Sequence, residues 1–418
     1  MITKISVNRF GIFLSKYTQK LGTIALGTTL LFFLSSLCWY APALADTFGC
    51  YQGTGSPAAC TSSLPPLIGS ECIANSGGTV NDWNTTIADN NSNVTALSFH
   101  GGQIEANTSP ISEDLQELYG WNRYDFNGHV TTADCKSLWS ADTSTCTVGR
   151  NFCTLHITST RFNDNASVNL VGAHPRAVAI HGCGSSGCSS STICVGGRNV
   201  ITTQIVDFRN YVNTYKALVS GTLLTFNVPA NTGDSGATCA SMLAGENANN
   251  IVNRTSSNEG LQLEMSSDIR NRLASDDQED DLLRAVVYGG IADAVGESPL
   301  PLVSLGNTET YTANGKTFTK YNLNVENRSE YDSQLFAPAP TLPACGSNTN
   351  SARTWVNIYN ADNDQRIYGF CALSSPQNLN SIWFAVELGQ TPPASVYVSL
   401  VDRQINTTYR SNRVKITI

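Results

Sequence analysis

Three short apolar runs dictate the architecture. Val94–Phe99, Ala177–Ile180 and Gly260–Leu263 are four to six residues long and largely apolar. That is the pattern of strands buried on both faces of a parallel sheet. A fourth run, Thr154–Thr158, is β-branched at three of its five positions and reads the same way. Helical signals lie between them. Asn107-Thr108-Ser109-Pro110 predicts a helix start with Ser109 as N-cap and Pro110 at the first helical position. Ile201, Ile205, Phe208, Val212 and Tyr215 recur at steps of four, three, four and three. Further helices are expected near 266–273 and 279–294, with Asp276 or Asp277 able to cap the second. Strands alternating with helices predict an α/β domain with a mainly parallel or mixed sheet.

Past Glu297-Ser298-Pro299-Leu300-Pro301 the pattern changes. Alternating runs at Phe318–Val325, Thr354–Tyr359, Arg366–Phe370, Ile382–Leu388, Val396–Val401 and Arg413–Ile418 are separated by turn-formers such as Asn360-Ala361-Asp362-Asn363-Asp364. They predict an all-β, immunoglobulin-like or fibronectin-like sandwich. Roughly 370 residues remain after the leader, too many for one core. The expected division is a leader at 1–45, a cysteine-bearing lead-in at 46–92, the α/β domain at 93–296 and the sandwich at 297–418. Residues 121–153, polar and cysteine-bearing, read as an insertion within the α/β part.

The leader carries Lys4, Arg9, Lys16 and Lys20, an apolar stretch from Leu21 to Leu37, and Ala43-Leu44-Ala45. This predicts a secretory signal peptide cleaved after Ala45, and a secreted or periplasmic protein with no membrane attachment afterwards. Retention of the apolar stretch as an anchor is the alternative; a lipoprotein through Cys38 is opposed by the bulky Leu37 before it. The leader holds four of the 25 Lys and Arg and none of the 33 Asp and Glu, which leaves the mature chain at −12. That balance argues against nucleic acid or an anionic membrane as partner. Setting Cys38 aside, 12 of the 13 cysteines remain. An even number in an exported chain predicts disulfides, and Cys345 with Cys371 stands apart from the rest.

The apolar runs also deliver the chemistry. They end on His100 (with Glu105 close behind), on His181 and on Glu264. Carboxyl ends of parallel strands converge on one edge, where ligands bind. A catalytic zinc takes three protein ligands from His and Asp/Glu and keeps a position open for water; His100, Glu105 and His181 supply that set. Such a metal lowers the pKa of its water and polarises a carbonyl. A carboxylate outside the set must then move the proton to the leaving amine, and Glu264 is the candidate. Arg254, close in sequence to that strand, is the candidate cation for a developing oxyanion. Gly101 and Gly102 relax the loop so that His100 and Glu105 can face one ion.

His100-Gly101-Gly102-Gln103-Ile104-Glu105, Thr108-Ser109, Leu155-His156-Ile157-Thr158-Ser159, Ile180-His181-Gly182-Cys183, Asn253-Arg254 and Gly260-Leu261-Gln262-Leu263-Glu264 occur in that order. In this the chain resembles the poly-γ-glutamate hydrolase family, secreted and phage-borne enzymes on a zinc-carboxypeptidase-like fold. The resemblance covers about 94 to 295. It implies zinc on His100, Glu105 and His181, with Glu264 as general base and acid. Asn253, Arg254 and His156 would orient substrate, polarise the carbonyl or hold the loops. The implied substrate is the polyanionic γ-glutamyl polymer. A polymer hydrolase should gather cations at its zinc, for which Arg123, Arg150, Arg161, Arg176 and Arg198 are candidates. Two rivals stand beside it: γ-glutamyl-containing cell-wall peptides as substrate, and a non-catalytic polymer-binding protein.

Other motifs carry less. Gly182-Cys183-Gly184-Ser185-Ser186-Gly187 fits a dinucleotide-binding spacing, but serines and a cysteine follow where a periodic helix is required. Cys183, Cys188 and Cys194 read as disulfide cysteines rather than metal ligands. Gly233-Asp234-Ser235-Gly236 lacks a triad context and reads as a turn. His129 and His174 read as surface or structural residues.

Overall fold

The computed structural model describes residues 83–129, 159–343 and 352–416, except 161, 163, 186, 200–201, 221–226, 230–238, 241–242 and 372–373. The leader, the run Thr154–Thr158 with His156, Gly233–Gly236, and Cys345 lie outside the described residues.

Six strands form one sheet: β1 (Trp83–Ala88), β2 (Val94–Gly102), β3 (Asn122–Gly128), β4 (Arg176–Gly182), β5 (Ile193–Arg198) and β6 (Gly260–Met265), in the order β1-β3-β2-β4-β6-β5. The four inner strands are mutually parallel, and β1 and β5 run antiparallel at the edges. The three apolar runs are therefore the adjacent strands β2, β4 and β6. Five helices flank them: α1 (Thr108–Tyr119), α2 (Asn165–Ala173), α3 (Gln204–Ser220), α4 (Ser267–Leu273) and α5 (Asp281–Ala294). Strand β4 shows why these runs lack polar alternation. Val178 and Ile180 enter a cluster with Ile111, Phe208 and Val286, from α1, α3 and α5. Ala177 and Ala179 enter a second with Leu170 and Val171 of α2 and with Ile251 and Val252. Both faces are covered, and each buried aliphatic side chain contributes about 1.5–3 kcal/mol.

Three strands were not expected from sequence. β1 lies in the stretch read as lead-in, so the sheet begins before residue 93. β3 lies in the stretch read as a polar insertion, and its polarity is the reason: Asn122, Arg123, Asp125 and Asn127 interrupt any apolar run. Asp125 is nevertheless fully buried because Arg123 donates to it at 2.5 Å and Ser112 of α1 also bonds it. β5 is short and carries Gly196-Gly197; Gly197 takes φ +114, and a side chain there would collide with the Gly260 carbonyl. The start of α1 also differs. The helix begins at Thr108 after a left-handed Asn107, and the Ser109 hydroxyl bonds the Asn127 side chain instead of capping. Cys183 pairs with Cys188 and Cys194 with Cys239. The glycine motif at 182–187 is followed by β5, not a helix.

Beyond α5 the strands are antiparallel. β7 (Val303–Ala313), β8 (Lys316–Val325) and β11 (Ile382–Glu387) form one sheet in the order β11-β8-β7. β9 (Thr354–Asn360), β10 (Arg366–Cys371), β12 (Ser395–Asp402) and β13 (Thr407–Arg410) form another in the order β10-β9-β12-β13, and β14 (Val414–Lys415) pairs with β12. Tyr321, Leu323 and Phe384 of the first sheet share one apolar cluster with Val356, Ile358 and Val398 of the second. β7 and β13 add to the expected strands, and the run at 413–418 shortens to β14. Polar bonds tie this part to the α/β part: Tyr215 donates to Glu330 at 2.6 Å, and Asn327 donates to Tyr211 at 2.9 Å. Among the described residues no helix is long and apolar enough to cross a membrane.

Candidate metal centre

His100, His181 and Glu264 sit at the carboxyl ends of β2, β4 and β6, with His181 and Glu264 paired in register. Alternation along β4 and β6 sets His181, Gln262 and Glu264 on the α2 side of the sheet, opposite the Ile180 and Leu263 side. On β2 the same alternation would send His100 the other way, with Val94 and Ala96. A register shift between Ser98 and Gly101 breaks it there; irregularities of this kind re-aim side chains beside active sites. The loop then folds back on itself. The Glu105 N–H donates to the His100 carbonyl at 2.8 Å, and the Thr108 hydroxyl donates to the Glu105 carbonyl at 2.9 Å. Gly102 takes φ +64, and a side chain at Gly101 would strike the Ser109 hydroxyl.

The result is three converging donors. His100 Nδ1 lies 2.9 Å from Glu105 Oε1, His181 Nδ1 lies 3.3 Å from Glu105 Oε2, and the two Nδ1 atoms are 3.2 Å apart. All three residues are buried, at 4%, 9% and 2% exposure for His100, Glu105 and His181. Zinc bonds of about 2.0–2.1 Å in tetrahedral geometry separate two ligand atoms by about 3.4 Å. The donor set and its spacing therefore fit a metal ion. The Gly182 N–H holds Glu105 Oε2 at 2.7 Å, and Phe99 meets both imidazoles edge-on, 4.9 and 4.6 Å between centroids. His181 Nε2 is buried without a hydrogen-bond partner among the described residues, so its ring is oriented from the donor side.

The electrostatics agree with the geometry. Burial pushes the His181 pKa down, but the Glu264 and Glu105 carboxylates outweigh it and hold it above its ordinary value. The charges that favour a proton on that ring favour a metal cation in its place. Glu264 is 4% exposed and is held by a relay: Asn250 donates to Gln262 Oε1 at 2.7 Å, and Gln262 Nε2 donates to Glu264 Oε1 at 2.8 Å.

The other expected site residues fall elsewhere. Asn253 donates to the Gly245 and Asn247 carbonyls and accepts from the Arg198 N–H. Arg198 pairs with Gly260 in register, four residues before Glu264, or roughly 13 Å along the strand. Arg254 donates to the carbonyls of Asn249 and Thr160. Both residues fasten the segment that carries Asn250, in keeping with a loop-holding part. Of the described candidates for a cationic patch, Arg123 bonds Asp125 and Glu113 and Arg176 bonds the Val295 carbonyl, both at the amino ends of their strands, and Arg198 pairs in register with Gly260 at the amino end of β6. Arg150 and Arg161 lie outside the described residues. Two residues at the centre were not singled out from sequence. Gln262 is two residues before Glu264 on the same face, a period-2 relation that could have flagged it. Arg270 of α4 lies at the carboxyl end of β6, bonded to the Ala106 and Met265 carbonyls, while Arg254 precedes the amino end of that strand.

The buried His-Glu-His donor set at the strand ends of a mixed α/β sheet is a group that could hold a metal ion. Residues 72–139 and 146–284 match the family model described as poly-gamma-glutamate hydrolase, and the chain belongs to that family. It is 27% identical over 193 residues to the YndL protein of Bacillus subtilis strain 168, covering 46% of this chain and 60% of that one. It is 28% identical over 194 residues to the SPbeta prophage-derived YoqZ protein of the same organism, covering 46% and 55%. The chain thus spans between half and two thirds of the length of these curated relatives. Among solved structures, a zinc-free apo form of YndL is similar at 23% identity and TM-score 0.34, covering 48% of this chain and 79% of that one. A bacteriophage poly-gamma-glutamate hydrolase is similar at 22% identity and TM-score 0.37, covering 54% and 93%.

Proposed function

We propose that the chain is a secreted zinc-dependent hydrolase of the γ-linked amide bonds of poly-γ-glutamate. The observation that carries this reading is the burial of His100, Glu105 and His181 with their donor atoms 2.9–3.3 Å apart, Glu264 being the register partner of His181. Family membership supports the γ-glutamyl substrate. The paired cysteines and the basic, apolar leader support export. On this reading residues 93–296, extended back to β1, form the hydrolase domain on a zinc-carboxypeptidase-like sheet, and 297–418 an appended immunoglobulin-like sandwich.

His100 and His181 would hold the ion through Nδ1 and Glu105 through its carboxylate. Zinc supplies a Lewis acid and lowers the pKa of water in its open position. Glu264, outside the donor set, takes a proton from the attacking water and returns it to the leaving amine nitrogen. Gln262 fixes Glu264 through Oε1, and Gly182 fixes Glu105 through Oε2.

A second reading keeps the site and replaces the polymer by shorter γ-glutamyl peptides of the cell wall. It is favoured by the position of Arg123, Arg176 and Arg198, away from the strand ends where a polyanion would lie, and by the net charge of −12 after the leader. One experiment addresses both. Mature protein is assayed for zinc, then incubated with γ-glutamyl polymer and with γ-glutamyl peptides, product size being followed by gel filtration. Glu264→Gln should retain zinc and lose about 10²–10⁴-fold in rate. Protein that holds no stoichiometric zinc, or a Glu264→Gln variant with undiminished hydrolysis, sinks the mechanism. Turnover of peptides without polymer selects the second reading.

A further inference from the structure

Arg270 is a buried guanidinium at the carboxyl ends of the strands, and its bonds single out two backbone positions. Nε donates to the Ala106 carbonyl at 2.8 Å and Nη1 to the Met265 carbonyl at 2.5 Å. Ala106 directly follows Glu105, and Met265 directly follows Glu264. One planar group therefore spans the loop after β2 and the end of β6. The guanidinium also lies flat over the backbone after His181: a Cβ placed on Gly182 would fall 2.3 Å from Nη1 and 2.4 Å from Cζ. Burial lowers the Arg270 pKa, and the Glu105 and Glu264 carboxylates only partly oppose that effect.

Resting on the metal-site reading above, we propose that Arg270 is a positioning residue that sets the distance between the metal-binding carboxylate and the proton-transfer carboxylate. Two fixed donors on a rigid fork can bridge a carbonyl of the loop after β2 and one at the end of β6. A lysine, with a single point charge on a flexible stem, cannot reproduce that span. The requirement for glycine at 182 follows from the same arrangement, since Gly182 lies in an extended strand with no left-handed backbone to explain it. Residues that hold ligands in place in this way are worth about 10–100-fold in metal affinity or activity.

The test measures zinc dissociation by competition with a chromogenic chelator, together with kcat and KM, in the full mature chain. Arg270→Met should bind zinc at least about tenfold more weakly and lose kcat with KM little changed, while Arg270→Lys recovers part of neither geometry-dependent loss. Gly182→Ala leaves Arg270 in the sequence but pushes its guanidinium aside, and should reproduce the zinc and kcat losses; it also decides the matter if Arg270→Met does not fold. Wild-type zinc affinity and kcat in folded Arg270→Met, or in Gly182→Ala when Arg270→Met is unfolded, overturn the assignment of Arg270 alone. A wild-type protein that binds no zinc overturns the metal-site reading, and this role with it.

Discussion

The two ends of the same strands put similar side chains to opposite use. At the carboxyl ends of β2, β4 and β6, His100, Glu105 and His181 are turned toward one another, imidazole to imidazole and carboxylate to imidazole, with Glu264 in register beside His181. At the amino ends, Arg176 and Asn253 are turned toward backbone carbonyls. A polar group that ends on a carbonyl has its hydrogen bond and its structural role together. Polar groups that converge on one another, as the two Nδ1 atoms do at 3.2 Å, present donor atoms that a cation can bridge. Burial alone does not separate the two ends, for Asn253 is as buried as His181. The partner does.

The largest effect expected from this contrast is at His181. His181→Ala should abolish stoichiometric zinc binding and reduce hydrolysis to the background of untreated substrate, while the fold, with Ile180 and the rest of β4 still packed, persists by circular dichroism. Retention of zinc in a folded His181→Ala protein would show that the two imidazoles are a structural hydrogen-bonded pair, and the carboxyl end would then resemble the amino end.

How far the sequence shows this contrast depends on which physical term encodes it. β2, β4 and β6 are legible because burial on both faces demands continuous apolar runs, and their last residues are legible because a histidine or glutamate ends each run. β3 is not, because its buried Arg123 and Asp125 bond each other and Ser112, and Asn122 bonds the backbone of Asn90 and Ser92, tertiary effects that look like a loop in one dimension. The direction of His100 is not legible either, since period 2 points it to the wrong face and only the register shift turns it back. Asn253 and Arg254 adjoin β6 in sequence and were expected at the site, yet a parallel strand carries its two ends about 13 Å apart over four residues. Sequence proximity to β6 selects its amino end; Arg270, after the strand, reaches the other.

A smaller effect tests the amino end directly. Arg176 donates to the Val295 carbonyl, between β4 and the end of α5. Loss of one hydrogen bond to a charged group costs about 1.5–3 kcal/mol, so Arg176→Ala should lower the melting temperature by several degrees in thermal denaturation. Zinc content and kcat should stay within about twofold of wild type. A rise in KM for the γ-glutamyl polymer without the thermal change would instead place Arg176 on the substrate path and restore the cationic patch that the second reading does without.

The smallest effect comes from Asp293, two residues before Val295 on the same end of α5. Burial, then repulsion from Glu330 and Asp207, raises its pKa from 3.8 to about 6. The folded chain therefore holds this proton more tightly than the unfolded chain. Above pH 6 the ionised carboxylate destabilises the fold; the penalty fades as pH falls from 6 toward 3.8 and is absent below that, where both states are protonated. Asp293→Asn removes the charge at every pH. It should melt slightly higher than wild type at pH 8, by a few degrees at most because the half-exposed carboxylate is screened by solvent, and the difference should vanish near pH 4. Turnover at pH 8 should be unaltered, because the group acts on the packing of α5 against the Glu330 segment and lies at the end of the sheet that holds no reacting atoms. A stability gain that is flat with pH would assign the effect to packing of the asparagine, and a change in kcat would mean that the two ends of the sheet are coupled.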